Sequence, residues 1–366
     1  MDLDELTLGA RIREARDRAG LSQGDLAARV GLDRTALVRV ESGSRRLTAL
    51  ELAAIADELG VRMASFFRAA PGVVAHRASQ GSQTQDSVID KQIARLADDA
   101  GLVLRATGDM VPEPDRALPV PRSREEAESL AVHVRKMVGL DRTSPVGEVS
   151  AVCARLGLWV FGLELGPDTA DAACVLLERG GVALVNSTAK VGRRRLAAIH
   201  ELGHYLVRDD YRVDWRVDQD EDGESRFDQF ARELLLPEDG LRKEWSTHSQ
   251  RGLREAAVVV ASRFRVDMST LARRALDLEL ISHADAREVR SVRTTQTDIV
   301  ELGLYVADDL AGTSLPAAYV KTVLRAYRDC QVSAERTLEL LHDTFTDDDL
   351  PPLPPRRADE LWGFVS

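Results

Sequence analysis

The sequence predicts a multidomain, mainly α-helical protein in which one segment combines helices with a small β-sheet. Three observations support this fold class. The chain has 366 residues, more than one ordinary domain needs. Apolar residues recur at helical spacing towards both ends of the chain. Three short apolar runs in the middle, bounded by glycine and aspartate, have the composition of strands: LWVFGLEL, AACVLLE and VALVN.

The composition is that of an ordinary soluble protein, with 44% apolar and 30% charged residues. No apolar run reaches the length of a membrane-spanning helix, and the acidic N-terminus lacks the features of a signal peptide, so we expect a cytoplasmic protein that does not enter a membrane. The three cysteines are widely spaced, which favours reduced thiols over a disulfide framework. The net charge of -11 argues against general coating of nucleic acid but permits a local basic surface.

Composition and helix-capping residues divide the chain into five predicted segments. Near the N-terminus, Thr7, Ser22, Asp33 and Thr48 are the predicted caps of four short helices. Two boundaries are marked by composition. The first is a stretch rich in Ser, Gln and Gly that begins at residue 68, and the second is a cluster of four prolines shortly before residue 122. The segments are short helices in 1–67, a linker and connecting helix in 68–122, helices and strands in 123–246, a helix-turn-helix-like module in 247–290 and a C-terminal helical region in 291–366.

The stretch AAIHELGHYLVR, residues 197–208, has the pattern of a metal-binding helix. His200 and His204 are four residues apart and therefore lie on one helix face, where two imidazoles can bind one ion. Glu201 is placed to take a proton from a water molecule that the metal activates. The alternative interpretation is an amphipathic helix with incidental histidines. Catalytic zinc also needs a third protein ligand, and the downstream candidates are Asp209, Asp210, Asp214, Asp218, Asp220, Glu221, Asp222, Glu224 and Asp228.

Together, HELGHYL and ESRFDQFARELLLP resemble the two motifs of the ImmA/IrrE family of metallopeptidases. This resemblance covers roughly residues 123–246 and implies a zincin-like α+β peptidase domain. It implies that Zn²⁺ is the cofactor, held by His200, His204 and Glu224, and that Glu201 is the catalytic base. Two residues depart from the family pattern: Phe227 replaces a residue that is usually small, and Ala197 stands where a hydroxyl residue is common.

The stretch LSQGDLAARVGLDRTALVRVESGSRR resembles the lambda-repressor-like helix-turn-helix domains of the Xre family. In such domains the second helix of the motif enters the major groove. The predicted base contacts are Arg34, Thr35 and Arg39, and the predicted phosphate contacts are Gln23, Ser44, Arg45 and Arg46. Residues 33–46 contain four arginines and two acidic residues, which gives a locally positive surface. The alternative is a helical dimerisation module that has lost DNA binding.

These features predict a DNA-binding transcriptional regulator with a zinc-dependent endopeptidase domain. The resemblance implies cleavage of an Xre-type repressor, either this chain or a partner, which would relieve repression under stress or in a mobile element. Xre domains usually read two-fold operators, so we expect a homodimer on double-stranded DNA. The alternative is the antitoxin of a toxin–antitoxin pair, in which the peptidase-like domain binds a toxin or ligand without proteolysis.

Overall fold

A computed structural model describes most of the chain. The described residues are 4–19, 21–59, 63, 66, 73–76, 83–109, 111–112, 117–167, 169–208, 221–304 and 308–353. Within these residues, no helix combines the length and the apolar character that crossing a membrane requires. The elements include sixteen α-helices and four β-strands.

The N-terminal unit has four short helices around one apolar core. They are α1 (Glu5–Arg18), α2 (Gln23–Arg29), α3 (Arg34–Glu41) and α4 (Ala49–Leu59). Ser22 caps α2 with Asp25 in a reciprocal pair of hydrogen bonds, as the sequence predicts. The predicted cap at Thr7 is wrong. The helix begins earlier, because the Asp4 carboxylate accepts the backbone N–H of Thr7 at 2.7 Å.

Twelve further helices are described, several of them at positions where the sequence predicts a helix with somewhat different ends. They are α5 (Gln83–Thr107), α6 (Arg124–Met137), α7 (Val149–Arg155), α8 (Val191–Val207), α9 (Glu221–Leu235), α10 (Glu238–His248), α11 (Leu253–Phe264), α12 (Met268–Asp277), α13 (His283–Ser291), α14 (Gln296–Glu301), α15 (Ala317–Arg328) and α16 (Ala334–Leu340). The HELGH motif lies on α8, as predicted.

The sheet contains the three predicted strands and one that the sequence does not predict. The predicted strands are β2 (Leu158–Leu163), β3 (Ala172–Leu176) and β4 (Gly181–Asn186). The additional strand, β1 (Val73–His76), lies in the segment that we predict as a linker. The order is β1-β3-β4-β2, with β2 parallel to β4 and the other two pairs antiparallel.

Both faces of the sheet are covered, because alternate residues of its strands enter two different cores. Leu158, Val160 and Cys174 face the core that contains α8. Trp159 and Phe161 face a second core, built from α5, α15 and α16. In that core the ring of Tyr319 packs edge-on against both aromatic rings, and its hydroxyl donates to the carbonyl of Leu340 at 3.0 Å.

The predicted boundary at residue 247 runs through a continuous core. Helices α11 to α13 contribute apolar side chains to the same core as α8 and α9. Gly192, in the first turn of α8, lies directly against the turn between α11 and α12, where a Cβ atom would come within 2.2 Å of the Asp267 nitrogen. On α12, the buried guanidinium of Arg274 pairs with Glu233 of α9 and Glu128 of α6. Residues 247–290 therefore belong to the same packed unit as α8 and α9.

Candidate metal centre and DNA-binding surface

Helix α8 presents its two histidines to a buried site. The helix is buried along nearly its whole length and ends at Arg208, which has a left-handed backbone (φ 49°). His200 and His204 are 2% and 1% exposed, and their Nε2 atoms lie 3.1 Å apart. Two nitrogens bound to one zinc ion at about 2.0–2.1 Å in tetrahedral geometry are about 3.3 Å apart. The structure thus brings together the first two predicted ligands, in a geometry that fits zinc.

The orientation of the His200 ring is set by Asp228 on α9. The Asp228 carboxylate lies 2.9 Å from Nδ1 of His200. A hydrogen bond from Nδ1 to this carboxylate fixes the tautomer and leaves the Nε2 lone pair for a metal ion. Asp228 is among the acidic candidates for the third ligand, but the structure assigns it this orienting contact on the opposite side of the ring.

Glu201 is fully buried beside the sheet. It follows His200 directly on α8, and α8 packs against β3, the strand that contains Cys174. Burial, together with the charge of Glu201, raises the pKa of the Cys174 thiol well above its ordinary value. Strand β3 therefore runs next to the predicted catalytic base, and Cys174 is held as a neutral thiol.

Phe227, the departure from the family pattern, packs directly against a predicted ligand. Its ring centroid lies 4.0 Å from that of His204. The ring also lies beside Gly203, where a Cβ atom would be only 2.8 Å from Phe227 Cδ1. The absence of a side chain at residue 203 lets the large ring fit between α8 and α9, so the bulk at 227 is accommodated and leaves the histidine pair in place. Ala197 is buried in the same core.

The third ligand remains a prediction. Of the nine acidic candidates, only Asp228 has a described side chain. Among the described side chains, no cluster of three or more His, Cys, Asp or Glu residues is placed to hold a metal ion. Glu224 lies on α9 one helical turn before Asp228, which orients His200. This position in the helix supports Glu224 as the ligand that completes the histidine pair.

A buried ion pair ties the start of α8 to the C-terminal segment. Arg195 is fully buried, pairs with Asp309, and donates to the carbonyls of Val146 and Gly147 at 2.9 and 2.8 Å. Burial lowers the pKa of Arg195 to about 10, which leaves it charged at neutral pH. Asp309 also accepts the backbone N–H of Val149 at 3.3 Å. The sequence does not reveal this support, because its partners lie more than 100 residues apart.

The recognition helix α3 presents the predicted base-contacting side chains to solvent. Arg34, Thr35 and Arg39 are exposed, while Leu37 and Val40 are buried in the N-terminal core. Val38 is also exposed on α3. An apolar side chain on a recognition helix can contact the thymine methyl group. Val38 is therefore an additional candidate for base contact. The sequence does not predict it, because an apolar residue in a helix is normally assigned to the core.

The predicted phosphate contacts are partly engaged within the protein. The Gln23 amide donates to Glu41 at 2.7 Å, and Glu41 also forms a buried ion pair with Arg16. Arg45 pairs with Glu51 at 2.6 Å and Arg46 with Glu5 at 2.7 Å. Ser44 is exposed, with its Oγ 3.1 Å from that of Ser42. Gln23 would have to leave Glu41 or share its amide to reach a phosphate, whereas the exposed Arg46 needs only to exchange one anionic partner for another.

Comparison with known families assigns both units. Residues 12–66 match the helix-turn-helix family model, and residues 153–276 match the model of the IrrE N-terminal-like domain, a peptidase family. These two matches agree with the predicted fusion of an Xre-like helix-turn-helix domain and an ImmA/IrrE-like domain. No curated protein matches it.

The two matches indicate the general activity of each unit but not its DNA sequence or its substrate. The helix-turn-helix match supports DNA binding by the N-terminal unit. The IrrE-like match supports a peptidase-like domain of a family that is typically zinc-dependent. It extends to residue 276 and so includes α11 and nearly all of α12, which agrees with the continuous core that joins these helices to α8.

Proposed function

We propose that this protein is a DNA-binding regulator whose second unit is a zinc-dependent endopeptidase. The observation that carries this proposal is the convergence of the His200 and His204 Nε2 atoms, with Asp228 orienting one ring and Glu201 buried beside them. A structural pair of histidines would not need this arrangement. His200, His204 and Glu224 would hold the metal.

When bound, zinc would polarise a peptide carbonyl and lower the pKa of water, so that hydrolysis proceeds at neutral pH. Glu201 would accept a proton from the attacking water and pass it to the departing amine nitrogen as the C–N bond breaks. Asp228 would keep the His200 ring in its ligating tautomer throughout.

The fusion suggests a target for the peptidase. A peptidase on the same chain as a helix-turn-helix unit can remove that unit from the rest of the protein, in cis or in a second copy. The segment between residue 67 and α5 joins the two units and contains the cleavage site in this proposal. Cleavage would separate the DNA-reading head from the rest of the chain and relieve repression.

Incubation of the purified chain with zinc tests the proposal. The wild-type protein should release an N-terminal fragment of about 70–80 residues, while Glu201→Gln should remain intact with the same zinc content. Mass spectrometry locates the cut. If the wild-type chain stays whole alone, mixed with a second copy, and on its operator DNA, self-directed proteolysis is excluded.

A second candidate is a non-proteolytic antitoxin or sensor. Helices α5, α15 and α16 favour it, because they cover the sheet face opposite α8 and hydrolysis at α8 uses none of their side chains. A partner toxin or a small ligand would bind there or at the sheet. Cellular repression assays separate the two candidates, since Glu201→Gln should abolish relief of repression by a peptidase and leave an antitoxin active.

A further inference from the structure

The edge of the sheet nearest the candidate metal centre is already covered by a segment of the chain itself. Strand β1 pairs antiparallel with β3, in register Val73 with Val175, Ala75 with Cys174 and His76 with Ala173. At the opposite edge, Gly162 of β2 exchanges two backbone hydrogen bonds with Ser314, at 2.8 and 2.9 Å. Both edges of the described sheet are therefore paired.

Strand β1 pairs with the part of the sheet that packs against α8, the helix that carries the predicted catalytic base. Residue 75 pairs with Cys174 of β3, and β3 packs against α8, the helix that carries Glu201. Strand β1 also contacts α8 itself. An extended peptide added to β3 at this position would run past the candidate metal centre, because main-chain pairing at a sheet edge fixes both its direction and its distance from α8.

The β1 strand has the features of a replaceable occupant. It contains only four residues, and its register is interrupted between Val73 and Ala75. In the sequence, Pro71 and Gly72 precede it and RASQGS follows it, and neither stretch contains the β-branched or aromatic residues that favour strands. It joins the helix-turn-helix unit to α5. By contrast, the β3–β4 pair runs in register over five residues without a bulge.

We propose that residues 73–76 act as an internal competitor: they occupy the outer edge of β3, and an extended peptide must displace them to bind there. The partner is an extended peptide with small and β-branched residues, such as the corresponding segment of a second copy. It binds by displacing β1. The inference deepens the proposed function by naming the substrate-binding edge, while the binding itself requires neither zinc nor hydrolysis.

Peptide binding to the full-length Glu201→Gln chain tests the proposal without cleavage. The probe is a labelled peptide with the sequence APGVVAHRAS, residues 70–79. The backbone N–H groups of successive strand residues point in opposite directions, so one of the N–H groups of residues 74 and 75 faces β3. The double substitution Val74→Pro with Ala75→Pro removes that hydrogen-bond donor. The matched control, Ser79→Pro with Gln80→Pro, places two prolines in the same segment outside β1.

The probe should bind the 74/75 variant at least tenfold more tightly than either the parent or the 79/80 control. Equal affinity for all three proteins, or no binding to any of them, would overturn the proposal. Hydrogen exchange provides a second readout on the same samples. Within residues 172–176, the amides that face β1 should exchange faster in the 74/75 variant and regain protection when the probe is added, whereas those that face β4 should not change. Unchanged exchange of the β1-facing amides contradicts the pairing.

The outcomes separate this proposal from the proposed peptidase function. Competition between the probe and β1, with no zinc-dependent cleavage of the wild-type chain, supports the binding site and rejects self-directed proteolysis. Cleavage of the wild-type chain with no preference for the 74/75 variant supports the peptidase and rejects this site.

Discussion

At the scale of single residues, the site depends on contacts that the sequence pattern does not contain. The HELGH spacing alone predicts that His200 and His204 share a helix face, and the structure confirms it. It does not predict which ring nitrogen faces the site. That choice is made by Asp228, 28 residues later, through its contact with Nδ1 of His200. The nine acidic candidates are alike in sequence, and it is the structure that assigns Asp228 to the His200 ring.

The contact between Asp228 and His200 predicts a graded effect on zinc affinity. Asp228→Ala should lower the affinity about 10- to 100-fold, since outer partners of a metal-binding histidine typically contribute that much. Asp228→Asn keeps an acceptor oxygen and should lose less. Titration against a chelator of known affinity measures both, with circular dichroism to verify folding. Equal losses in the two variants would mean that Asp228 acts through charge alone and not by orienting the ring.

Arg39 and Arg46 should affect DNA binding differently, although each carries one positive charge. Arg39 is exposed on the recognition helix, and Arg46 lies beyond it, paired with Glu5. With an operator selected in vitro, Arg39→Ala should reduce sequence discrimination by about 1–3 kcal/mol. Arg46→Ala should weaken binding to all sequences and reduce the salt dependence by about one phosphate contact. If Arg46→Ala reduced sequence discrimination and Arg39→Ala weakened binding to all sequences, Arg46 would be the base contact and Arg39 the phosphate contact.

At the scale of secondary structure, the sequence predicts strongly periodic or alternating segments well. Strands β2, β3 and β4 are predicted because their apolar residues form continuous runs between turn residues. Strand β1 is missed because a four-residue run with polar neighbours acquires strand character only by pairing with β3, about 100 residues away. Likewise, α11 and α12 have the helix-turn-helix spacing that we predict, but the sequence cannot tell that they share a core with α8.

The packing of α8 on α9 should be sensitive to a single methyl group. A Cβ atom at residue 203 would lie 2.8 Å from the Phe227 ring, so Gly203→Ala should destabilise the domain by about 1–3 kcal/mol despite the higher helix propensity of alanine. In a Phe227→Ala background the cost should fall by at least about 1 kcal/mol, because the main obstacle is gone. Urea denaturation of the four proteins gives the coupling. Additive costs would show that Phe227 does not limit the space at residue 203.

At the scale of the whole molecule, the C-terminal segments are part of the structure that holds the site. Asp309 neutralises the buried Arg195 at the start of α8, and Ser314 covers the free edge of β2. Helices α15 and α16, with α5, cover the face of the sheet opposite α8. A peptidase-like unit limited to residues 123–246 would lose these contacts, so the functional unit extends to both sides of the segment that carries the motifs.

Two neighbouring aspartates test this contribution of the C-terminal segment. The Asp309 side chain is 6% exposed, and its removal leaves a buried arginine without its carboxylate, so Asp309→Ala should cost about 3–5 kcal/mol of stability. Asp308 pairs with Arg194, but its side chain is 74% exposed, and Asp308→Ala should cost less than about 1 kcal/mol. Denaturant titration compares the two variants, and similar losses would refute the supporting role of the buried pair.

The metal content of the purified protein tests the central claim most directly. Inductively coupled plasma mass spectrometry should find one zinc per chain in the wild type and little or none in Glu224→Ala. Glu221→Ala is the matched control, since it removes an acidic residue from the same helix and should keep the metal. If the wild type contains no zinc even after zinc is supplied, or if Glu224→Ala retains a full equivalent, the proposed metal centre is contradicted.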